Sequence, residues 1–415
     1  MSGKVGGRES TKDWGESEKG RRGEKNFKSH KKAFLRVFAS PFLRFPVSFS
    51  LFFFLFFLSL LAGISLAAPD SPSFKSALPG WKFEFPRDHR AHKDFRTEWW
   101  YYNGHLTGPA GERFGYQLTF FRVGLIPGSL PLKGSRWELR EVYLAHLAVT
   151  EVEGRIFQFK EKISRGSLGL AGAEGRRYRV WLESWQVDEE GTNHRLQAGD
   201  RDLALALTLI PVRPPLVHGL DGVSQKGPKP GQASHYYSLT RMKTEGYLTR
   251  KGKRIPVQGL SWMDHEFGSN QLAENQVGWD WFSIQLNDGT DLMLYQLRQV
   301  QGQVDPRSSG TLMLAGGKSR HLPVERIKIR TLKSWKSPRT GAVYPAAWEI
   351  LLPENDLKLE LTPLINDQEL VTSKSTGVTY WEGAVEVKGI HRGRSVEGKG
   401  YVEMTGYDRP FQPKI

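Results

Sequence analysis

Three short stretches set ionisable side chains among aromatic ones. Ser261-Trp-Met-Asp-His-Glu-Phe-Gly268 places Asp264, His265 and Glu266 at the end of a β-type run. Side chains on a strand alternate, so Trp262, Asp264 and Glu266 share a face. A carboxyl beside aromatic walls loses solvation, its pKa rises, and it becomes able to donate a proton near neutral pH. The competing reading has Asp264 cap the following turn, and a matching acid at Glu403 fits that reading too. Thr97-Glu-Trp-Trp-Tyr-Tyr-Asn-Gly104 puts Glu98, Trp100 and Tyr102 on one strand face. A buried Glu98 needs a partner, and Arg122 is the obvious one. In Ala233-Ser-His-Tyr-Tyr-Ser238, His235 and Tyr237 share a face, so both could reach the cavity of Asp264. A lone strand histidine is more often a hydrogen-bonded core residue, and His146 is read that way.

Other chemistries find little support. Asp88-His-Arg-Ala-His92-Lys-Asp94 has spacing that could bind a metal, but without an HExxH motif it reads as a solvated loop. The chain has no Cys, which excludes disulfides, thiolate nucleophiles and Cys-ligated metals. There is no G-x-S-x-G elbow, Walker loop or dinucleotide fingerprint, so no cofactor is implied.

The elements that must position these residues are strands. Short alternating runs bounded by Gly, Pro, Asn and Asp dominate beyond residue 80, with one helical candidate around residues 141–146. Trp99-Trp-Tyr-Tyr-Asn-Gly-His-Leu106 recurs 180 residues later as Trp279-Asp-Trp-Phe-Ser-Ile-Gln-Leu286. The stretch from Glu245 to Asp264 is echoed from Glu382 to Glu403, the two acids lying 139 residues apart. The order matches at both ends, which describes two copies of one β unit, the first carrying an insertion across the Pro/Gly-rich residues 211–230. The expected fold is therefore all-β, two closed or nearly closed antiparallel barrels at 80–267 and 277–410.

The N-terminus adds an address. Residues 45–69 carry no charge, and a basic stretch of residues 1–44 precedes them. Small residues at 65 and 67 suit a peptidase site, so 45–68 reads as a signal h-region, with an uncleaved membrane anchor as the alternative. Both readings place the body outside the cytoplasm, in the periplasm of a two-membrane cell. Residues 1–68 hold 12 basic and 5 acidic residues, so they carry +7 of the net +15. The charge left on the body is mild, and nucleic-acid binding is not expected.

At Thr97-Glu-Trp-Trp-Tyr-Tyr-Asn-Gly104 and Trp262-Met-Asp-His-Glu-Phe-Gly268 the sequence resembles the AttH-like family. This lipocalin-like group includes carotenoid 1,2-hydratase (hydroxyneurosporene synthase). The resemblance spans about residues 80–410 and implies two lipocalin-like barrels. It implies Asp264 as a proton donor to an isoprenoid double bond, with His235, Tyr237 and Trp262 lining the site. Glu98, Trp100, Tyr102, Arg122, His265 and Glu266 are the expected ligand-binding residues. The pair His235/Tyr237 stands where the hydratases have a His and a Trp. The resemblance also implies a link to envelope ABC transporters. Two functions stay open: an exported carrier of a lipid or other apolar molecule working beside a transporter permease, and a cofactor-independent hydratase or hydrolase.

Overall fold

The computed structural model describes residues 73–128, 130, 138–270 and 272–411. The expectations for residues 1–44 and 45–68 fall outside that set. Two antiparallel sheets make up the body. The first holds β1 (Thr97–Thr107), β2 (Arg113–Gly124), β3 (Glu141–Glu151), β4 (Ile156–Arg165), β5 (Ala171–Ala173), β6 (Arg179–Leu182), β7 (Trp185–Glu190), β8 (Asn193–Gly199), β9 (Leu203–Pro211), β10 (Leu216–Val217), β11 (Ser224–Gln225), β12 (Ala233–Arg250) and β13 (Lys253–Gly268). The second holds β14 (Gln276–Leu286), β15 (Asp291–Gln299), β16 (Ser309–Met313), β17 (Ser319–Pro323), β18 (Lys328–Lys336), β19 (Val343–Leu352), β20 (Leu357–Pro363), β21 (Glu369–Val371), β22 (Thr379–His391) and β23 (Arg394–Thr405).

The strand orders are β4-β3-β2-β1-β13-β12-β9-β8-β7-β6-β5 and β17-β16-β15-β14-β23-β22-β20-β19-β18. In each, the first strand pairs with the last, and short extra strands lie along the penultimate one, two in the first sheet and one in the second. The duplication is thus visible in topology. Tyr101 faces Asp264 across the β1–β13 pair, just as Trp281 faces Glu403 across β14–β23. Both sheets curl into lipocalin-like barrels. The insertion at 211–230 carries β10 and β11, which run beside β12.

Parity divides the side chains into three layers. Trp100, Tyr102, Tyr237 and Met263 belong to the core of the first barrel, and Phe282, Trp348 and Val402 to that of the second. Tyr101, Tyr236, Trp262, Trp281 and Tyr295 form a third cluster between the barrels. Trp281 meets Tyr101 edge-on at 5.3 Å and Trp262 at 6.4 Å. Such ring pairs add about 0.5–1.5 kcal/mol each beyond the area they bury, which favours this face-to-face packing. At Gly115 the barrels come so close that a Cβ would sit 2.6 Å from Ala384 Cβ.

The helix expected around residues 141–146 is the strand β3. Tyr143 and Ala145 fill the first barrel while Leu144 and His146 lie on its outer face, where the second barrel covers them. A strand buried on both faces loses the alternation that marks a strand in sequence.

Candidate functional site: a cavity between the barrels

Register alone builds the site. On the outer face of the first barrel, direct cross-strand pairing sets Glu161, His146, Thr119, Tyr101, Asp264 and Ser238 in one row across six strands. The second barrel offers the matching row Ser309, Tyr295, Trp281, Glu403 and Glu382. The rows face each other across a cavity of about 470 Å³. Its walls include Trp99, Phe121, Leu144 and Leu297, with Asp264, Glu266, Glu382 and Glu403 set among them. A shallower depression of about 360 Å³ near Val304, Ile327 and Leu351 lies away from this carboxyl cluster.

Asp264 takes hydrogen bonds on both oxygens. Trp262 Nε1 donates to Oδ1 at 2.6 Å, Tyr236 Oη donates to Oδ2 at 2.6 Å, and Ser238 Oγ also donates to Oδ1. Trp281 Nε1 in turn donates to Tyr236 Oη at 3.0 Å, tying the acid to the second barrel. Burial lifts the Asp264 pKa to about 7; the three donors pull it down and the charge of Glu266 pushes it up. Glu403 is lifted to about 7, again by burial first, with Asp264 and Glu266 adding to the effect. Glu382 is driven well above the usual range by burial and by Glu403 directly opposite. Gln117 Nε2 donates to Glu382 Oε2 at 2.9 Å. Glu382 raises the Tyr101 pKa while Tyr101 lowers that of Glu382, yet Tyr101 Oη and Glu382 Oε1 make no well-formed hydrogen bond. The geometry decides here: both atoms are buried and unengaged, facing one cavity. Glu266 pairs with Lys226, whose Nζ lies 3.3 Å from Oε1. Burial disfavours the Lys226 charge, but Glu266 and Tyr295, whose ring lies 3.8 Å below the ammonium, keep its pKa raised.

The cavity therefore holds carboxyl groups that keep their protons near neutral pH inside aromatic walls, beside one compensated ion pair. Such a site can protonate an apolar molecule. The AttH-like family model matches residues 76–407. The chain belongs to the AttH-like family. The AttH-like body is similar to the crystal structure of an AttH protein from Nitrosomonas europaea, with 36% identity and a TM-score of 0.73, covering 80% of this chain and 100% of that one. It also shares its fold with kievitone hydratase from Nectria haematococca, at 15% identity and a TM-score of 0.62, covering 81% and 97% of the two chains. A search of curated proteins finds no match.

The AttH-like chain separates the residues that the sequence grouped together. Trp262, Asp264 and Glu266 do share the cavity face. His235 and Tyr237 do not reach it: they face Phe267 and His265 across β12–β13, inside the first barrel, while Tyr236 and Ser238 reach Asp264. His235 stacks on Trp81 at 4.6 Å and donates from Nδ1 to Gly222 O at 2.7 Å. Tyr237 Oη bonds His89 Nδ1 at 2.6 Å and His265 Nδ1 at 3.1 Å. Trp100 and Tyr102 belong to the same interior. Alternation told that one of the pairs 235/237 and 236/238 faces Asp264, but not which.

Glu98 does pair with Arg122, whose Nε donates to Oε2 at 3.0 Å, both side chains being fully buried. Both also contribute to the cavity's wall. The stretch expected as a solvated loop is instead tucked into the barrel end: Asp88 is 1% exposed and lies in the turn Arg87–His89. His92 Nδ1 lies 2.9 Å from Glu98 and Nε2 lies 3.4 Å from Asp88. Among the described residues, His92, Glu98 and His265 have metal-ligand spacing, with ligand atoms within 4.8 Å of one another. Yet His92 meets a carboxylate at each nitrogen. Burial works against its charge, but Asp88 and Glu98 outweigh that and raise its pKa. Arg87 also pairs with Asp88, and Arg122 reaches Glu141 as well as Glu98, so each buried carboxylate meets more than one basic group. The arrangement is a closed ion network, and a metal would have to displace a proton and an arginine to enter it.

Proposed function

We propose that the chain is an acid catalyst that adds water to an isoprenoid-type double bond of an apolar molecule held between its barrels. The observation that carries this reading is Asp264, a carboxyl with its pKa near 7 on the wall of an aromatic cavity. Protonated Asp264 gives its proton to the less substituted alkene carbon, and the tertiary cation forms facing Trp281, Tyr101 and Trp99. Aromatic faces favour such a cation by about 0.5–2 kcal/mol each. Water then captures the cation and loses a proton, so no redox step or cofactor enters the balance. The fold shared with kievitone hydratase supports the reading as an architecture on which a hydratase has been built.

A second reading is favoured by one specific observation. Asp264 accepts three hydrogen bonds and recurs as Glu403, as a scaffold acid would. In that reading the protein, exported by residues 45–68, carries an apolar molecule for an envelope transporter. Native mass spectrometry with organic extraction of bound material separates the two. Hydration predicts an alkene retained in Asp264→Asn and a product heavier by one water in wild type. The same molecule, unaltered and at equal stoichiometry in both, favours carriage.

A further inference from the structure

Asp264, Glu266 and Glu382 are buried in the cavity wall, and acid chemistry there calls for a defined route of proton exchange. One row of side chains crosses from the surface to the cavity wall, and it is shared between the barrels. Half-buried Glu161 sits directly opposite His146 in the β3–β4 pair, and His146 is 1% exposed. His146 Nδ1 lies 2.7 Å from Tyr380 Oη and Nε2 lies 2.8 Å from Ser375 Oγ. Ser375 Oγ donates to Glu161 Oε2 at 2.6 Å. His146 and Tyr380 both line the cavity. We propose that Glu161, Ser375, His146 and Tyr380 form a proton relay linking solvent to the inter-barrel cavity.

The hydrogen positions follow from counting donors. The single Ser375 hydroxyl hydrogen is committed to Glu161, so His146 Nε2 must carry the hydrogen that Ser375 Oγ accepts. A neutral imidazole then has a bare Nδ1, which accepts from Tyr380. His146 is neutral because burial pushes its pKa down to about 3. The bonds therefore run one way, from Tyr380 through His146 and Ser375 to Glu161. Gln117 Nε2 donates to the remaining face of Tyr380 Oη at 3.3 Å and holds the phenol in place.

The relay balances the reaction in two strokes, and this use of it rests on the hydration reading. When water has captured the cation, its surplus proton bonds to Tyr380 Oη. The Tyr380 proton moves to His146 Nδ1, the Nε2 proton moves to Ser375 Oγ, and the Ser375 proton moves to Glu161 Oε2. Each N–H or O–H bond formed matches one broken, and Glu161 releases one proton to solvent. The shifted chain now runs inward. A proton taken up at Glu161 passes back through the same atoms, and Tyr380 delivers it to the cavity, where the spent carboxylate needs it. The chain returns to its starting tautomer.

The bland alternative is a static brace between β3 and the segment before β22. Proton exchange distinguishes the two without any substrate. In the full chain, isotope-labelled at histidine, His146 is expected as the Nε2–H tautomer, with a cross-peak to water despite its burial. Glu161→Gln keeps an acceptor for Ser375 but ends the path, so the tautomer should persist while the exchange cross-peak is lost. Ser375→Ala should give the same loss, and backbone amides of β3 and β22 should keep their protection in both variants. An exchange cross-peak unchanged in Glu161→Gln, or absent in wild type, overturns the relay. Should exchange behave as expected while wild type turns over no alkene, the relay stands and the hydration reading falls.

Discussion

Asp264→Asn is expected to lower product formation by about 10²–10⁴-fold, the range set by removal of one general acid, while the protein still folds and binds. Asn has nearly the same shape, can accept from Trp262 Nε1 and Ser238 Oγ, and can donate to Tyr236 Oη, so the hydrogen bonds around the position survive. It has no proton to give. Measured as turnover against binding, the loss should fall on kcat and spare KM. Glu403→Gln supplies the control that the repeat offers. Glu403 holds the same register position in the second barrel, but among the described residues no tyrosine or serine donates to it as Tyr236 and Ser238 do to Asp264. A much smaller loss in Glu403→Gln assigns the acid to Asp264. Equal losses would assign it to the carboxyl cluster as a whole, and no loss in either would leave Asp264 as a scaffold residue.

Arg122→Ala should be the most destabilising single change in the first barrel, costing about 3–5 kcal/mol, as removal of one partner from a buried ion pair does. Arg122 bonds Glu98 through Nε, and through Nη2 it bonds His92 O at 3.0 Å and Phe95 O at 2.8 Å, so it pins the 73–96 segment into the barrel end. Chemical denaturation measures the cost, and Arg122→Met with Glu98→Gln together should recover most of it because no charge is left unpaired. The same network fixes a pH dependence. Burial pushes Glu98 and Asp88 up, but Arg122, His265 and His92 hold Glu98, and His92 and Arg87 hold Asp88, well below the usual carboxylate range. Their stabilisation is complete above the unfolded carboxylate pKa of about 4 and is lost as pH falls below it. His92, raised, contributes below about pH 6.5, and its share is lost as pH rises through its folded value. Stability unaffected by acid in wild type, or by Arg122→Ala, would contradict the network.

The architecture was legible because it is written twice. The echo of Trp99–Leu106 in Trp279–Leu286, and of Asp264 in Glu403, is reproduced by equal registers in the two sheets. The acid in Trp262-Met-Asp264 was legible for the same reason: parity places it with Trp262 and Glu266. What faces it across the strand pair was not legible. Which of Tyr236 and Tyr237 meets Asp264 depends on the β12–β13 register, which includes a shift between Leu239 and Met242, and a one-residue change of register swaps faces. His146 was read only as a hydrogen-bonded core histidine because β3 is buried on both faces, so nothing in its sequence marks the outer one. Lys226 comes from the Pro/Gly-rich insertion, where no periodicity points anywhere. Asp88 and His92 were misplaced because a loop that plugs a barrel looks, in composition, like one that does not.

The central claim is that the cavity keeps carboxyl groups protonated near neutral pH. Infrared spectroscopy of the carboxyl stretch reads this directly. The account predicts protonated-carboxyl bands from buried groups that persist from mildly acidic pH up to about 7. One of those bands should be missing in Asp264→Asn and another in Glu403→Gln. If every carboxyl of the wild-type protein is ionised by about pH 5, as solvated groups are, the cavity holds no acid and the account is wrong.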